Sequence, residues 1–268
     1  MHPHNAKYNF TLPSQNELDN MLGRLKARMF TLKGAAFLGS LMCSVEFIWD
    51  ESIPTAATDG LHIWWNPYFF VSLPAPERMF VLRHELWHIA YNHMDRRNGR
   101  DPEFSNIAAD YVINNDMDRE KFSHANLGFK IYIDHQYDND SYEVIYEKIC
   151  PPEMKGKKGK NPDPDGKDSK GGMSQPGLHN DVREPQGTPQ QVQDHKVRVI
   201  GNIVKAVQQS KMAKEAGIVP GDVEEMVDRF LNPILPWETL LQNYFNEMCN
   251  DDYSYRRPSR RYDDPIMP

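Results

Sequence analysis

Cysteine is scarce in this sequence: Cys43, Cys150 and Cys249 are the only three in 268 residues, and no two form a CxxC pair. That excludes a disulfide framework and a cysteine-built zinc site, and it fits a reducing cytoplasm. No uncharged apolar run approaches the length of a membrane span. The first residues, Met1-His2-Pro3-His4-Asn5, lack the basic-then-apolar plan of a secretory signal. Positive charge is not in excess either. The formal net charge of −7 disfavours general attraction to nucleic acid or to anionic membranes. These absences predict a cytoplasmic chain with neither a membrane nor a nucleic acid as its partner.

What is present suffices for a core. Apolar residues make up 39% of the chain and include 12 Phe, 12 Tyr and 5 Trp, enough for one large domain or two small ones. The mean hydropathy of −0.70 nevertheless points to polar excursions. Leu18, Met21, Leu22, Leu25 and Met29 recur at helical spacing behind Ser14, a suitable N-cap. Residues 35–49 are rich in Phe, Leu, Val and Ile and read as one or two strands. Residues 61–65 read as another, stopped by Asn66-Pro67. A long helix should begin near Pro76 and run to about Arg97, ended by Asn98-Gly99, and a second should cover residues 103–119. Residues 1–150 are thus read as the core. Residues 151–191 are read as a flexible polar insertion, because Lys, Gly, Asp, Pro, Ser and Gln replace large apolar residues there. Helices return over 192–250, the last opened by Pro236-Trp237, before a polar, basic tail at 251–268.

The chemistry concentrates in His84-Glu85-Leu86-Trp87-His88. Histidines at i and i+4 share one helical face, so both imidazoles reach one zinc ion while the glutamate between them projects alongside. With His84 at zero on the helical wheel, His88 falls at about 40° and Glu85 at about 100°. Met79, Leu82, Leu86 and Ile89 take the opposite side, as an active-site helix requires. On the same wheel His93 falls at about 180°, inside the apolar stripe, and reads as a buried core histidine hydrogen-bonded nearby. A third ligand must come from another element. Asn106, Asp110 and Asn114 are spaced i, i+4, i+8 on an otherwise apolar helix, and a metal with its ligands would satisfy that buried polar face. Asp110, the only carboxylate of the three, is the expected ligand; its alternative role is to orient a histidine.

The segment His84-Glu-Leu-Trp-His-Ile-Ala-Tyr-Asn-His-Met-Asp-Arg-Arg97, followed by Asn106-Ile-Ala-Ala-Asp-Tyr-Val-Ile-Asn114, resembles a bacterial and phage family of metallopeptidase-like proteins. Thr58-Asp-Gly60, Asn66-Pro67, Pro236-Trp237 and the Tyr253-Ser-Tyr-Arg-Arg-Pro-Ser-Arg-Arg261 tail extend the likeness over most of 15–150 and 192–262. Members commonly carry a von Willebrand A-like domain after this part, and the sequence stops where that domain would begin. The resemblance implies an α+β, zincin-like fold: a small mixed sheet packed on the active-site helix, with additional C-terminal helices. Zincins with a glutamate ligand often show Glu-x-x-Ala-Asp on a helix. Asn106 stands at the Glu position here and Asp110 at the Asp position. Either the ligand has moved one turn to Asp110, or Asn106 or water completes the site; Asp110 is the assignment adopted.

The sequence therefore predicts a zinc metallopeptidase in which His84, His88 and Asp110 hold Zn2+ and Glu85 activates the zinc-bound water for attack on a peptide or protein substrate. The alternative is a non-catalytic zincin scaffold with structural zinc that docks a partner, which the family's A-like domain implies could be an ATPase. The resemblance to zincins, which commonly bind substrate backbone along an edge strand beside the cleft, makes residues 61–65 a candidate for that strand, with Trp64 and Trp65 as pocket candidates and at least one of them packed. Tyr111, His124, His135 and His179 are weaker candidates for stabilising an oxyanion.

Overall fold

Ser14 starts the first helix, α1 (Gln15–Met29), through a capping box with Glu17. The Ser14 backbone N–H donates to Glu17 Oε2 at 2.9 Å, satisfying a donor that the helix leaves open. Leu18, Leu22, Leu25 and Met29 then form its buried stripe. The chain is described here from a computed structural model covering residues 2–97, 99–129, 131–154, 181–185, 187–215 and 217–232. It divides into two units, residues 1–227 and 228–268. Of the second, the described part is the end of α9 (Gly221–Leu231) and Asn232. The expected helix at Pro236, the tail and most of the polar tract lie outside the described residues.

Residues 35–43 are helical, not extended, and form α2 (Ala35–Cys43). Ala, Leu and Met dominate there, and every β-branched residue of the 35–49 stretch falls after Ser44. Burial of Phe37, Leu38, Leu41 and Met42 erases the amphipathic period that would have marked a helix. The strand is confined to β1 (Glu46–Trp49). With β2 (Ala56–Thr58) and β3 (His62–Trp65) it makes a mixed sheet of order β1-β3-β2, parallel between β1 and β3 and antiparallel between β2 and β3. Residues 62–65 are therefore the central strand and not an edge; β2 is one edge. The β2–β3 turn is fixed by Asp59 Oδ1, which accepts from Leu61 N and His62 N, and by Gly60 at a φ of 97°.

Asn66 caps α3 (Pro67–Ser72) by accepting from Tyr68 N and Phe69 N. The central helix α4 (Ala75–Ala90) follows and is buried along most of its length. It ends seven residues earlier than the sequence predicts, because Asn92 adopts a left-handed conformation (φ 51°, ψ 45°) and turns the chain into α5 (His93–Arg96). Asp101 caps α6 (Pro102–Arg119), whose Ala108 and Ala109 pack against Tyr142 and Tyr146 of α7 (Tyr142–Ile149). Residues 181–185 belong to the stretch read as a polar insertion, yet Asp181 and Val182 are buried and Val182 pairs in parallel with Thr58. A Thr188–Gln191 capping box then opens α8 (Pro189–Met212), which lays Ile203, Ala206 and Val207 into the main core with α2. The described residues thus form an α+β fold with a three-stranded mixed sheet. No helix among them is long and apolar enough to cross a membrane.

Candidate metal centre

Four side chains from three parts of the chain converge beneath the surface: His84 and His88 from α4, Asp110 from α6, and Asp181 from the segment beside β2. All are fully buried or nearly so. His84 Nε2 lies 3.0 Å from His88 Nε2, 3.5 Å from Asp110 Oδ1 and 3.1 Å from Asp181 Oδ2. His88 Nε2 lies 3.4 Å from Asp110 Oδ1 and 3.5 Å from Asp181 Oδ2. A zinc ion with bonds near 2.0–2.1 Å needs donors ~3.3–3.4 Å apart at the corners of a tetrahedron. The five distances bracket that value. The residues present fit a tetrahedral divalent ion of the zinc type.

The outer contacts fix which nitrogen of each imidazole faces the centre. Asn114 Nδ2 donates to the Tyr132 carbonyl at 3.1 Å, so its Oδ1 is the atom turned toward His84. His84 Nδ1, 3.0 Å from that oxygen, must carry the proton and donate it, which leaves Nε2 as a lone pair aimed inward. His88 Nδ1 lies 3.1 Å from His93 Nδ1. When His88 Nδ1 donates there, its Nε2 also becomes a lone pair. Burial, then the charges of His88 and Arg96, hold the His93 pKa far below its ordinary value, as suits a neutral acceptor. His93 is the buried, hydrogen-bonded histidine the sequence predicts. The break at Asn92 takes it off the α4 wheel, however, so that its partner is His88 itself.

Two lone pairs and two carboxylates cannot share this space without positive charge between them. Burial alone would favour neutral imidazoles, but hydrogen bonds and charge from Asp110 and Asp181 raise His84 well above its ordinary pKa. The same opposition, with the Asp181 charge foremost among the raising influences, brings His88 up to about 9. Asp181, despite its burial, is held well below the ordinary carboxylate range by His88 and His84. A dication would do the work that these protons do in its absence.

Glu85 sits beside the cluster, fully buried, and neither of its carboxylate oxygens has a hydrogen-bond partner among the described residues. Burial, then repulsion from Asp181, pushes its pKa to about 8. A buried carboxyl without partners is costly, so its retention asks for a role. Asn106 and Asp110 are both buried on α6, and Asp110 Oδ1 lies 3.5 Å from His84 Nε2 and 3.4 Å from His88 Nε2.

Asp181 is the member of the four-donor group that sequence reasoning missed. It lies at the end of a polar tract and belongs to no periodic stripe. The one available signal is Val182, the first Val, Ile or Thr after Cys150, where an apolar residue suited to strand pairing returns. The other candidates lie elsewhere. Trp65 is buried against Phe70, whereas Trp64 is half-buried beneath the Arg183 guanidinium. Tyr111 packs on Tyr132 and Tyr137, and His124 and His135 both engage Asp118. His179 lies outside the described residues.

A family described as "Putative metallopeptidase domain" matches residues 22–268. The chain belongs to that family. The match takes in all four donors and Glu85, so the convergence described above lies within the matched residues. No curated protein and no solved structure matches the chain.

Proposed function

We propose that the chain is a zinc-dependent peptidase in which His84, His88 and Asp110 hold the metal and Glu85 is the general base. The observation that carries this reading is the near-tetrahedral spacing of His84 Nε2, His88 Nε2 and Asp110 Oδ1 beside a buried, unpartnered Glu85. When bound, zinc supplies a Lewis acid that acidifies water and polarises a carbonyl. The chain's residues do the rest. Asn114 and His93 orient the two imidazoles, Asp110 supplies anionic charge, and Glu85 takes the proton of the attacking water and passes it to the departing amine. Family membership supports peptides as the substrate class. The small mixed sheet beside α4 is compatible with a zincin-like arrangement, and the cysteine usage with a cytoplasmic setting.

A second reading is favoured by one observation. Asp181 supplies a fourth protein donor, and a site closed by four protein ligands is the pattern of structural zinc. In that case the chain is a non-catalytic scaffold for a protein partner such as an ATPase. Glu85 weighs against it, since structural zinc needs no adjoining buried carboxyl. The deciding experiment measures zinc by mass spectrometry and peptide cleavage across a proteome-derived library. The peptidase reading expects about one zinc per chain in both wild type and Glu85→Gln, with hydrolysis lost only in the variant. A native protein without zinc, or cleavage that survives Glu85→Gln, ends this reading.

A further inference from the structure

Residues 181–183 lie against the edge of β2 at Thr58. Thr58, the last residue of β2, donates its N–H to the Asp181 carbonyl and accepts from Arg183 N at 2.8 Å through its own carbonyl. One residue, Asp181, therefore joins the sheet edge to the metal centre: its backbone pairs with β2 and its carboxylate lies 3.1 Å from His84 Nε2. Peptides commonly bind by adding a strand to such an edge, through the same backbone groups that Thr58 has already committed.

We propose that residues 181–184 are a displaceable internal plug, and that the β2 edge at Thr58 is the docking edge for an extended peptide substrate. This rests on the peptidase reading above. The plug occupies two things a substrate complex needs at once: the fourth corner of the donor tetrahedron and the β2 edge of the sheet. Opening exchanges the Asp181 carboxylate for water at the centre and exchanges residues 181–183 for substrate backbone at Thr58.

The way the segment is held fits an occupant that can leave. Beyond Asp181, its one buried apolar side chain is Val182. The remaining side-chain contacts are made by arginines, of which Arg183 is partly exposed and Arg97 is buried. Arg183 pairs with Asp50 at 3.4 Å and covers the Trp64 ring at 4.5 Å. Arg97 reaches the Val182 carbonyl at 3.4 Å and Glu184 at 3.5 Å. Arg183, Asp50 and Glu184 are partly exposed, and ion pairs in contact with water hold weakly. By contrast, the His84, His88 and Asp110 ligand set is anchored on two packed helices.

The test uses the zinc-loaded full chain and acetohydroxamic acid, a bidentate chelating group that binds zinc only where a coordination position is free. Calorimetry should find wild type binding the hydroxamate at least about tenfold more weakly than Asp181→Ala. Zinc stoichiometry should be equal in the two proteins, and X-ray absorption should find one light-atom ligand in the variant replaced by exchangeable water. Peptide hydrolysis should rise at least about tenfold in Asp181→Ala and vanish in Asp181→Ala combined with Glu85→Gln. Arg183→Pro keeps Asp181 but removes the N–H given to Thr58, so it should shift hydroxamate binding in the same direction, and it decides the matter if Asp181→Ala does not fold. Loss of zinc from folded Asp181→Ala, or hydroxamate binding equal to wild type in the variants, overturns the plug. Hydroxamate binding gained without any hydrolysis supports the plug and overturns the peptidase reading. Hydrolysis by wild type equal to that of the variants does the reverse.

Discussion

His93 Nδ1 lies 3.1 Å from His88 Nδ1, both rings fully buried, so one histidine is oriented by another instead of by a carboxylate or a carbonyl. The contact exists because α4 stops at Ala90 and Asn92 turns left-handed, which swings His93 back toward the imidazole one turn away. Replacing His93 with Ala should leave the fold intact and weaken zinc binding by roughly 10–100-fold, the usual cost of losing a residue that orients a metal ligand. Gln, which can still accept from His88, should recover part of it. Competition with a chromophoric chelator measures this, and an unchanged affinity in His93→Ala would remove His93 from the site.

Asp110 and Asn106 compete for the ligand role, and their substitutions separate them. Asp110→Ala should weaken zinc binding by more than ~100-fold, since it deletes an anionic donor near both imidazoles. Asn106→Ala should cost less than about tenfold in the same chelator titration. The reverse ranking would make Asn106 the ligand.

Above pH 6.5, beyond which the depressed His93 contributes no further change, stability of the metal-free chain should fall with rising pH. His88 titrates at about 9 in the fold against an ordinary 6.5, and Glu85 at about 8 against 4.5. Both folded values lie above the unfolded ones. Each group's contribution is therefore fully present below its unfolded value and is lost as pH climbs through the folded one. The loss begins above 4.5 for Glu85 and above 6.5 for His88, and it is complete a little beyond 9. Asp181 is shifted in the opposite sense, so its contribution is lost only as pH falls below the carboxylate range. Zinc displaces the protons, so the loaded chain should have a flatter profile and zinc affinity should rise with pH. Unfolding midpoints recorded with EDTA and with one equivalent of zinc check both statements. A chelated midpoint that holds level or climbs from pH 6.5 to 9 contradicts them.

Gly60 should resist substitution. Its φ of 97° is strained for any residue with a side chain, and an added Cβ would meet Met94 Cε at 2.7 Å and Val199 Cγ2 at 2.8 Å. Gly60→Ala should destabilise the chain by about 1–3 kcal/mol, read from urea unfolding. A variant as stable as wild type would mean that the β2–β3 turn relaxes without cost.

Much of the centre was legible because it is periodic. The i, i+4 spacing of His84 and His88 and the Asn106, Asp110, Asn114 stripe each put their side chains on one face of a helix, and the structure brings both faces together. The failures share a physical cause. α2 is buried on so many sides that no amphipathic period survives in Ala35–Cys43. The early end of α4 hangs on Asn92, which tolerates the left-handed region without advertising it as glycine would. The order β1-β3-β2 depends on pairing between distant segments, so no local pattern marks residues 62–65 as central. Asp181 is a single residue delivered by a strand edge, and a single residue has no period to read.

Pairing Val182 against Thr58 also bears on how the chain behaves in a crowded solution. A bare strand edge is a template for any other extended chain, including a second copy of the same protein. Residues 181–183 shield β2 at Thr58, where the backbone N–H and C=O would otherwise face outward unsatisfied. Whatever frees that edge for a visitor also frees it for self-association, so an opened form would aggregate more readily the longer it waits without a peptide.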